Sequence, residues 1–228
     1  MFGKIRPFIF KFDPETAHNL AIQALKFNLM SRNQKQNFKH IETEIFNKKI
    51  PNPIGLAAGF DKDAEVYNSI FRLGFGFVEV GTITPLKQSG NPKPRVFRLE
   101  EDEALINRLG FNNSGADLIQ SRIRLNPPKG LFGINIGPNK DTKDRINDYL
   151  IGLRKFYELA DYLTINISSP NTENLRSFHN ESELNDLLQA IEQEKTSLKT
   201  SIPTVLKISP DINDQEIEKI SKLILKYN

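Results

Sequence analysis

The chain has no cysteine among its 228 residues. Disulfides, thiolate metal sites and cysteine nucleophiles are therefore excluded within it. It also lacks any apolar run approaching the roughly 18 residues that a membrane-spanning helix needs. Lys4, Arg6 and Lys11 break up the first apolar stretch, so no signal peptide is expected. Histidine is scarce, with only His18, His40 and His179 present. No G-x-S-x-G elbow accompanies them, and a serine hydrolase built on Ser169 fits badly. P-loop, G-x-G-x-x-G and H-E-x-x-H patterns are missing too, and no metal site is expected. Long low-complexity segments, linkers and internal repeats are absent apart from an alternation of strands and helices.

What is present matches an ordinary folded protein: 38% hydrophobic and 26% charged residues argue against disorder. A reducing compartment is permitted, and the expected place is the cytoplasm or a surface. The net charge is +3, but residues 1 to 40 hold seven lysines and arginines against Asp13 and Glu15. The positive excess belongs to the N-terminus. There Phe2, Ile5, Ile9 and Phe12, then Ala17, Leu20, Ala21, Ala24, Leu25 and Leu29, recur at helical spacing. Asp13, Pro14 and Glu15 give a helix start signal between the two stripes. The pattern predicts two short helices in a hairpin, the first limited by Pro7 and beginning near Arg6. Two readings stand: a helical cap on the rest of the protein, or a unit lying in a bilayer interface. A nucleic-acid binder is disfavoured, because the charge sits on an apolar-faced hairpin rather than along an aromatic groove.

After residue 40, short apolar strands are expected near Ile54 to Ala58, Phe77 to Thr82, Gly133 to Gly137, Leu163 to Ile167 and Thr204 to Ile208. Helical patterns fill the intervals at Glu65 to Leu73, Ser114 to Arg124, Asp148 to Leu159 and Glu183 to Leu198, and a last helix runs from Asp214 to Tyr227. Strand and helix alternating this often imply a parallel α/β sheet. Two hairpins decorate it, Ile41 to Ile50 turning at Asn47 and Arg95 to Asn107 turning through Glu100 to Glu103. Small or ligand-like residues follow each strand, which suits a (β/α)8 barrel with its site at the C-terminal rim. Such a barrel closes with eight strands and five are legible, so an incomplete barrel, part of a longer protein, is expected.

The richest motif is INISSPN, Ile165 to Asn171, where a β-branched strand ends in two amides, two hydroxyls and a proline. Asn166, Ser169 and Asn171 can hold a planar, amide-bearing small molecule, although the same residues also make an ordinary turn. In LAAGFDKD, Leu56 to Asp63, Ala57, Ala58 and Gly59 leave the backbone open to a flat ring. Lys62 can neutralise a carboxylate or simply pair with Asp61 or Asp63. EVGTITP, Glu79 to Pro85, offers Thr82 and Thr84, which are equally good strand formers. INRLGFNNSG, Ile106 to Gly115, reads mostly as a loop and a helix cap by Asn113 or Ser114. In GINIGPNKD, Asn135 interrupts an apolar strand and must be paired. Lys207 in VLKIS poses the same demand more strongly, if its strand is fully buried.

Six motifs in chain order, LAAGFDKD, EVGTITP, FRLEEDEALINRLGFNN, GINIGPNKD, INISSPNT and VLKISPD, closely resemble dihydroorotate dehydrogenase of the membrane-associated, quinone-dependent class 2. The resemblance runs from about residue 3 to residue 228. It implies an FMN-containing barrel that oxidises dihydroorotate to orotate in pyrimidine synthesis and passes electrons to a membrane quinone. Carried over by position, Ser169 is the implied base. Lys62, Asn107, Asn166 and Asn171, with the stretch Arg108, Leu109, Gly110 and Phe111, are implied to bind the substrate. Ala58, Gly59, Phe60, Asp61, Lys62, Thr82, Asn135, Asn166 and Lys207 are implied to line FMN, and residues after Pro170 through His179 to form a lid. His18 and Arg98 match a quinone tunnel. The implied division is residues 1 to 40 for membrane attachment and quinone access and 41 to 228 for the barrel, at the cytoplasmic side of the cell membrane. The resemblance also places the FMN phosphate grip and three strands beyond Asn228, so the chain alone is expected to hold little FMN. The competing expectation is a catalytically inactive membrane-associated fragment.

Overall fold

A computed structural model describes residues 2–29, 39–171 and 175–227. The N-terminal hairpin comprises α1 (Phe2–Ile9) and α2 (Pro14–Lys26). Its second helix starts where the sequence says: the Asp13 carboxylate accepts from the N–H groups of Glu15 and Thr16, each at 3.0 Å, and Pro14 opens the first turn. The first helix differs from expectation. It begins at Phe2 rather than near Arg6 and contains Pro7. The ring removes a single donor, and the ladder resumes at once with Phe10 N–H to the Arg6 carbonyl at 2.9 Å.

A tight hairpin follows, β1 (Thr43–Ile45) and β2 (Lys48–Ile50). Phe46 and Asn47 turn it with φ of 51° and 59°, the left-handed pair that a two-residue hairpin requires. The barrel portion then runs β3 (Gly55–Leu56), α3 (Tyr67–Arg72), β4 (Phe77–Ile83), the antiparallel arm β5 (Val96–Leu99) and β6 (Ala104–Asn107), and α4 (Ala116–Leu125). It continues through β7 (Leu131–Ile136), α5 (Arg145–Phe156), β8 (Tyr162–Asn166), α6 (Glu181–Leu198), β9 (Thr204–Lys207) and α7 (Asp214–Ile224). The five parallel strands lie in the order β3-β4-β7-β8-β9, each beside its predecessor in the barrel series. Both edges of this sheet, β3 and β9, are open among the described residues.

Alternation along the strands sorts side chains to two faces. Val78, Val80, Phe132, Ile134, Ile136, Leu163 and Ile165 are buried against the helices, where Tyr149, Leu153 and Phe156 of α5 and Ile119 and Ile123 of α4 meet them. Each such side chain contributes about 1.5–3 kcal/mol by leaving water. The other face, the barrel interior, carries Glu79, Asn135, Tyr162, Thr164, Asn166 and Lys207. Below it the first hairpin covers the N-terminal ends of the strands, with Ile50 packed on Leu131 and Tyr162.

Two helix starts moved from their expected positions because carboxylates fix them. Asp61 accepts from Glu65 N–H at 2.7 Å and Val66 N–H at 2.8 Å, which holds both residues in the loop, so α3 starts at Tyr67. Asp144 accepts from Asn147 N–H at 2.9 Å and starts α5 a turn earlier than the apolar pattern implied. The cap of α4 is a third correction. Its N-cap is Gly115 with φ of 86°, not Asn113 or Ser114. Asn113 is instead a buried clamp, donating to the Thr84 hydroxyl at 2.8 Å and the Phe111 carbonyl at 2.8 Å.

Candidate ligand site at the strand ends

Three adjacent strand ends are joined through their side chains. Thr82 at the end of β4 donates its hydroxyl to Asn135 Oδ1 on β7 at 2.7 Å, and Asn166 Nδ2 on β8 donates to Thr82 Oγ1 at 2.9 Å. All three residues are buried. The demand that Asn135 be paired is thus met from two sides, because its Nδ2 also donates to Glu79 Oε1 at 2.9 Å. Glu79 and Thr82 differ in parity along β4, and a regular strand would aim them to opposite faces. The pairing of β4 with β7 shifts between Val80 and Ile83, and this bulge turns Thr82 inward. Gly81 makes the bulge possible: its φ is 108°, and a Cβ there would meet the Asn135 carbonyl oxygen at 2.4 Å.

The loop after β3 is tied to the same point. Gly59 N–H donates to the Gly81 carbonyl at 2.8 Å and Gly81 N–H to the Asp61 carbonyl at 3.2 Å. Gly59 is exposed, and a Cβ on it would meet nothing within 4 Å, so its backbone is open to a ligand. Lys62 forms no ion pair within 4.0 Å among the described residues; neither Asp61 nor Asp63 claims it. Burial, helped by the Arg95 cation, holds its ammonium below the usual lysine range, against the pull of Glu15, Asp63 and Asp61. Asp63 is spent on Ser114 N–H at 2.7 Å. Asp61 faces the protein, holding the loop as described.

Beyond β8, Asn166 Oδ1 accepts from Ser168 N–H at 3.1 Å and Ser168 Oγ at 2.7 Å, and its carbonyl accepts from Tyr149 at 2.7 Å. Ser169 Oγ accepts from Asn171 N–H at 3.2 Å, and Asn171 Nδ2 reaches the Asn107 carbonyl at 3.4 Å. The β8 loop and the β5–β6 arm therefore converge. Arg108 is exposed and turned toward the Pro94 carbonyl, donating from Nε at 3.2 Å and Nη2 at 2.9 Å. Leu109, Gly110 and Phe111 lead back inward: Gln88 Nε2 donates to the Gly110 carbonyl at 3.2 Å, and Phe111 packs on the core. Thr84 braces this loop rather than joining the strand-end network, donating to the Leu86 carbonyl at 2.7 Å. Of the expected lid, residues 172–174 lie outside the described residues; Leu175–His179 is a 3-10 turn whose Leu175 and Phe178 are buried.

Lys207 requires a correction. It sits across from Asn166 on the interior face, but its strand is not fully buried: Val205 is exposed and Lys207 half-buried, because β9 has a neighbour on one side only. The premise that burial forces an anion on it fails, and no ion pair forms there among the described residues.

The hairpin touches this region. The His18 ring stands edge-on to Phe60 with centroids 5.1 Å apart, and burial, reinforced by the Lys62 cation, keeps its imidazole below the usual range against the pull of Glu15. Arg98 lies over the Phe10 ring at 4.6 Å and donates to the Phe12 carbonyl at 2.8 Å.

The match of residues 40–228 to the family described as dihydroorotate dehydrogenase decides the affiliation. The chain belongs to the dihydroorotate dehydrogenase family. It is 52% identical over 224 residues to the dihydroorotate dehydrogenase (quinone) of Bartonella tribocorum, covering 96% of this chain and 62% of that protein. The protein of the same description from Bartonella henselae is 48% identical over 221 residues, covering 95% and 61%. Crystal structures of Eimeria tenella DHODH superpose on 94% of this chain. The ferulenol complex has a TM-score of 0.89 at 36% identity and 64% coverage of that chain, and the ligand-free form a TM-score of 0.88 at 36% identity and 66% coverage. The five-stranded α/β sheet is thus part of the TIM barrel of that family, and the chain spans about three fifths of the length of the curated relatives named.

Glu79 is the polar residue of the strand-end network that the sequence did not reveal. A lone glutamate in a short strand carries no signal, and only the bulge and the cross-strand register reveal that it shares Asn135 with Thr82. Two other clefts lie around Lys26, Glu65 and Arg72, about 240 Å³, and around His179, Glu216 and Lys219, about 170 Å³.

Proposed function

We propose that the protein serves the oxidation of dihydroorotate to orotate with FMN as resident cofactor and a membrane quinone as electron acceptor, in pyrimidine synthesis. The observation that carries the reading is the set of amides and hydroxyl, Thr82, Asn135 and Asn166, linked across three neighbouring strand ends beside the open Gly59 backbone. These residues fit a flat, hydrogen-bonding ring: Ala58, Gly59, Phe60 and Asp61 offer main chain at its edge, and Lys207 a cation on the interior face. Bound FMN supplies the hydride acceptor. Lys62, lacking an internal counter-ion, binds the substrate carboxylate, and a buried cation of this kind gains most from such a partner. Asn107, Asn166 and Asn171 hold the ring amides, and Arg108 to Phe111 shape the opening. Ser169 takes the C5 proton; a serine is a weak base, so its proton must pass on through water or a neighbouring hydroxyl.

Residues 1 to 40 serve as the membrane unit and residues 41 to 228 as the FMN and substrate unit in this reading. Phe8, Phe12, Leu20, Phe27 and Leu29 are 49–75% exposed on the hairpin, next to its positive excess. That combination suits peripheral attachment at the cytoplasmic face of the cell membrane, with quinone passing His18 and Arg98. No helix among the described residues is long and apolar enough to cross a membrane. Anaerobic addition of dihydroorotate to the FMN-reconstituted protein should bleach the flavin's visible absorbance, and a soluble quinone should restore it. Bound flavin that dithionite bleaches but dihydroorotate does not would overturn the assignment.

A further inference from the structure

The carboxylate of Glu79 accepts three hydrogen bonds inside the barrel. Thr164 Oγ1 donates to Oε2 at 2.8 Å, Tyr162 OH to Oε2 at 3.1 Å, and Asn135 Nδ2 to Oε1 at 2.9 Å. All three bonds are received by Glu79 and none is given. Burial, with the charge and hydrogen bond of Glu79, pushes the Tyr162 phenol up from its usual range, so it stays a donor. Asn135 must therefore present its NH2 to Glu79, which leaves its carbonyl facing Thr82. Thr82 must then donate, at 2.7 Å, and its oxygen can only accept from the NH2 of Asn166, at 2.9 Å. The Asn166 carbonyl is left to take both donors of Ser168. Every link has one direction, and it is set from both ends: the Ser168 backbone N–H can only donate and orients Asn166, while Glu79 orients Asn135 and so decides that Thr82 donates to it.

We propose that Glu79 is a positioning residue that orients the Asn135 amide and thereby spends the Thr82 proton inside the protein, with Ser168 N–H orienting Asn166 from the other end, so that the strand-end site presents N–H groups to its ligand. With the internal bonds made, Asn135 and Asn166 each keep one amide hydrogen, while the Thr82 proton is spent. The ligand edge that fits is an acceptor edge, a ring carbonyl or an unprotonated ring nitrogen. Only this last consequence rests on the flavin reading above; the internal polarity does not.

The test reverses one link. In Asn135→Asp two carboxylates face each other, and the folded-to-unfolded ratio should fall on the order of 100-fold. In the double variant Glu79→Gln/Asn135→Asp the new glutamine NH2 can donate to the new carboxylate, and the double should recover about half of that loss or more in urea unfolding. Equal losses from Asn135→Asp in the parent and in the Glu79→Gln variant would overturn the proposal, because a space-filling role is additive. If Asn135→Asp does not fold, recovery of a folded double supports the proposal and an unfolded double refutes it. Independently, the side-chain amide NMR signals of Asn135 should broaden or double in Glu79→Gln, where that amide is free to turn over, while those of Asn166, held by Ser168 N–H, should not; unchanged Asn135 signals would sink the idea. Neither readout needs flavin. FMN affinity, measured on the same Glu79→Gln protein, should drop about tenfold; a broken polarity with no FMN binding in the parent would fault the cofactor reading alone.

Discussion

At the residue scale, the site shows how one buried carboxyl can be a scaffold and a liability together. Burial lifts Asp61 from 3.8 to about 6, although the N–H groups of Glu65 and Val66 pull the other way. Between those values the folded state keeps a proton that the unfolded chain has released, so stability falls as pH rises through that window and stays reduced above it. Asp61→Asn removes the titration but leaves one of the two N–H groups facing an NH2. The variant should therefore be less stable than the parent at low pH and gain on it as pH climbs from 3.8 to about 6, at a rate approaching about 1.4 kcal/mol per pH step of one. Urea unfolding of both proteins across that range reads the difference; curves that stay parallel would rule it out. Asp148, also raised by burial, is common to both proteins and cancels. Residue identity made the pairing of Asn135 and Asn166 legible in the sequence, since an amide in an apolar strand is conspicuous. Lys207 shows the limit of that logic: burial belongs to the neighbours a strand has, and the sequence of one strand does not list them.

At the scale of elements, what periodicity reveals and what it hides separate cleanly. The five strands, the helices between them and both hairpins follow from apolar spacing and turn residues, while the starts of α3, α4 and α5 depend on which polar groups tie up the preceding loop. The contact that attaches α2 to the barrel leaves no mark in the sequence. Arg95 is buried and donates to both Glu15 oxygens, from Nε at 3.1 Å and Nη2 at 2.6 Å, and from Nη1 to the carbonyls of Ser89 and Asn91. These residues lie 80 positions apart, and neither stands out alone. The hydrogen bond from Arg95 holds the Glu15 carboxyl below its usual range, so this stabilisation is present at neutral pH and lost as pH falls through the lowered value. Arg95→Ala should cost about 3 kcal/mol at neutral pH, with Arg95→Lys intermediate because an ammonium cannot span both oxygens. A parent and variant of equal urea midpoint would remove the clamp from the account. The bulge in β4 is a second hidden element. Gly81→Ala adds a Cβ against the Asn135 carbonyl oxygen at a φ of 108° and should destabilise by about 3 kcal/mol or more. Its diagnostic effect is loss of the Thr82 to Asn135 hydrogen bond, which a crystal structure of the variant would show; a retained bulge with that bond intact would contradict the role given to Gly81.

For the molecule as a whole, stability and ligand chemistry are distributed unevenly across one sheet. The central strand β7 is buried at every residue and paired on both sides, and β8 is equally buried. At the edges, β3 has two residues and β9 is half-exposed with an open side. Thr82, Asn135 and Asn166 thus sit on the rigid centre, whereas Gly59, Lys62 and Lys207 sit on or just beyond the edges. Local opening should follow this order, since amides with few buried contacts and one strand partner open at the lowest free energy. Native-state hydrogen exchange is expected to release the amides of Leu206 and Lys207 first and those of Phe132, Ile134 and Ile136 last, near the global unfolding limit. Uniform protection across β7 and β9 would show that the sheet opens as one unit and that the edge argument is wrong. With FMN bound, protection should rise at Gly59 to Lys62 and at Lys207 and change little in β7, because a ring lying on the rim supplies contacts where the protein has fewest. Protection gained only at α6 and α7 would move the ligand from Gly59, Lys62 and Lys207 to the cleft lined by His179, Glu216 and Lys219.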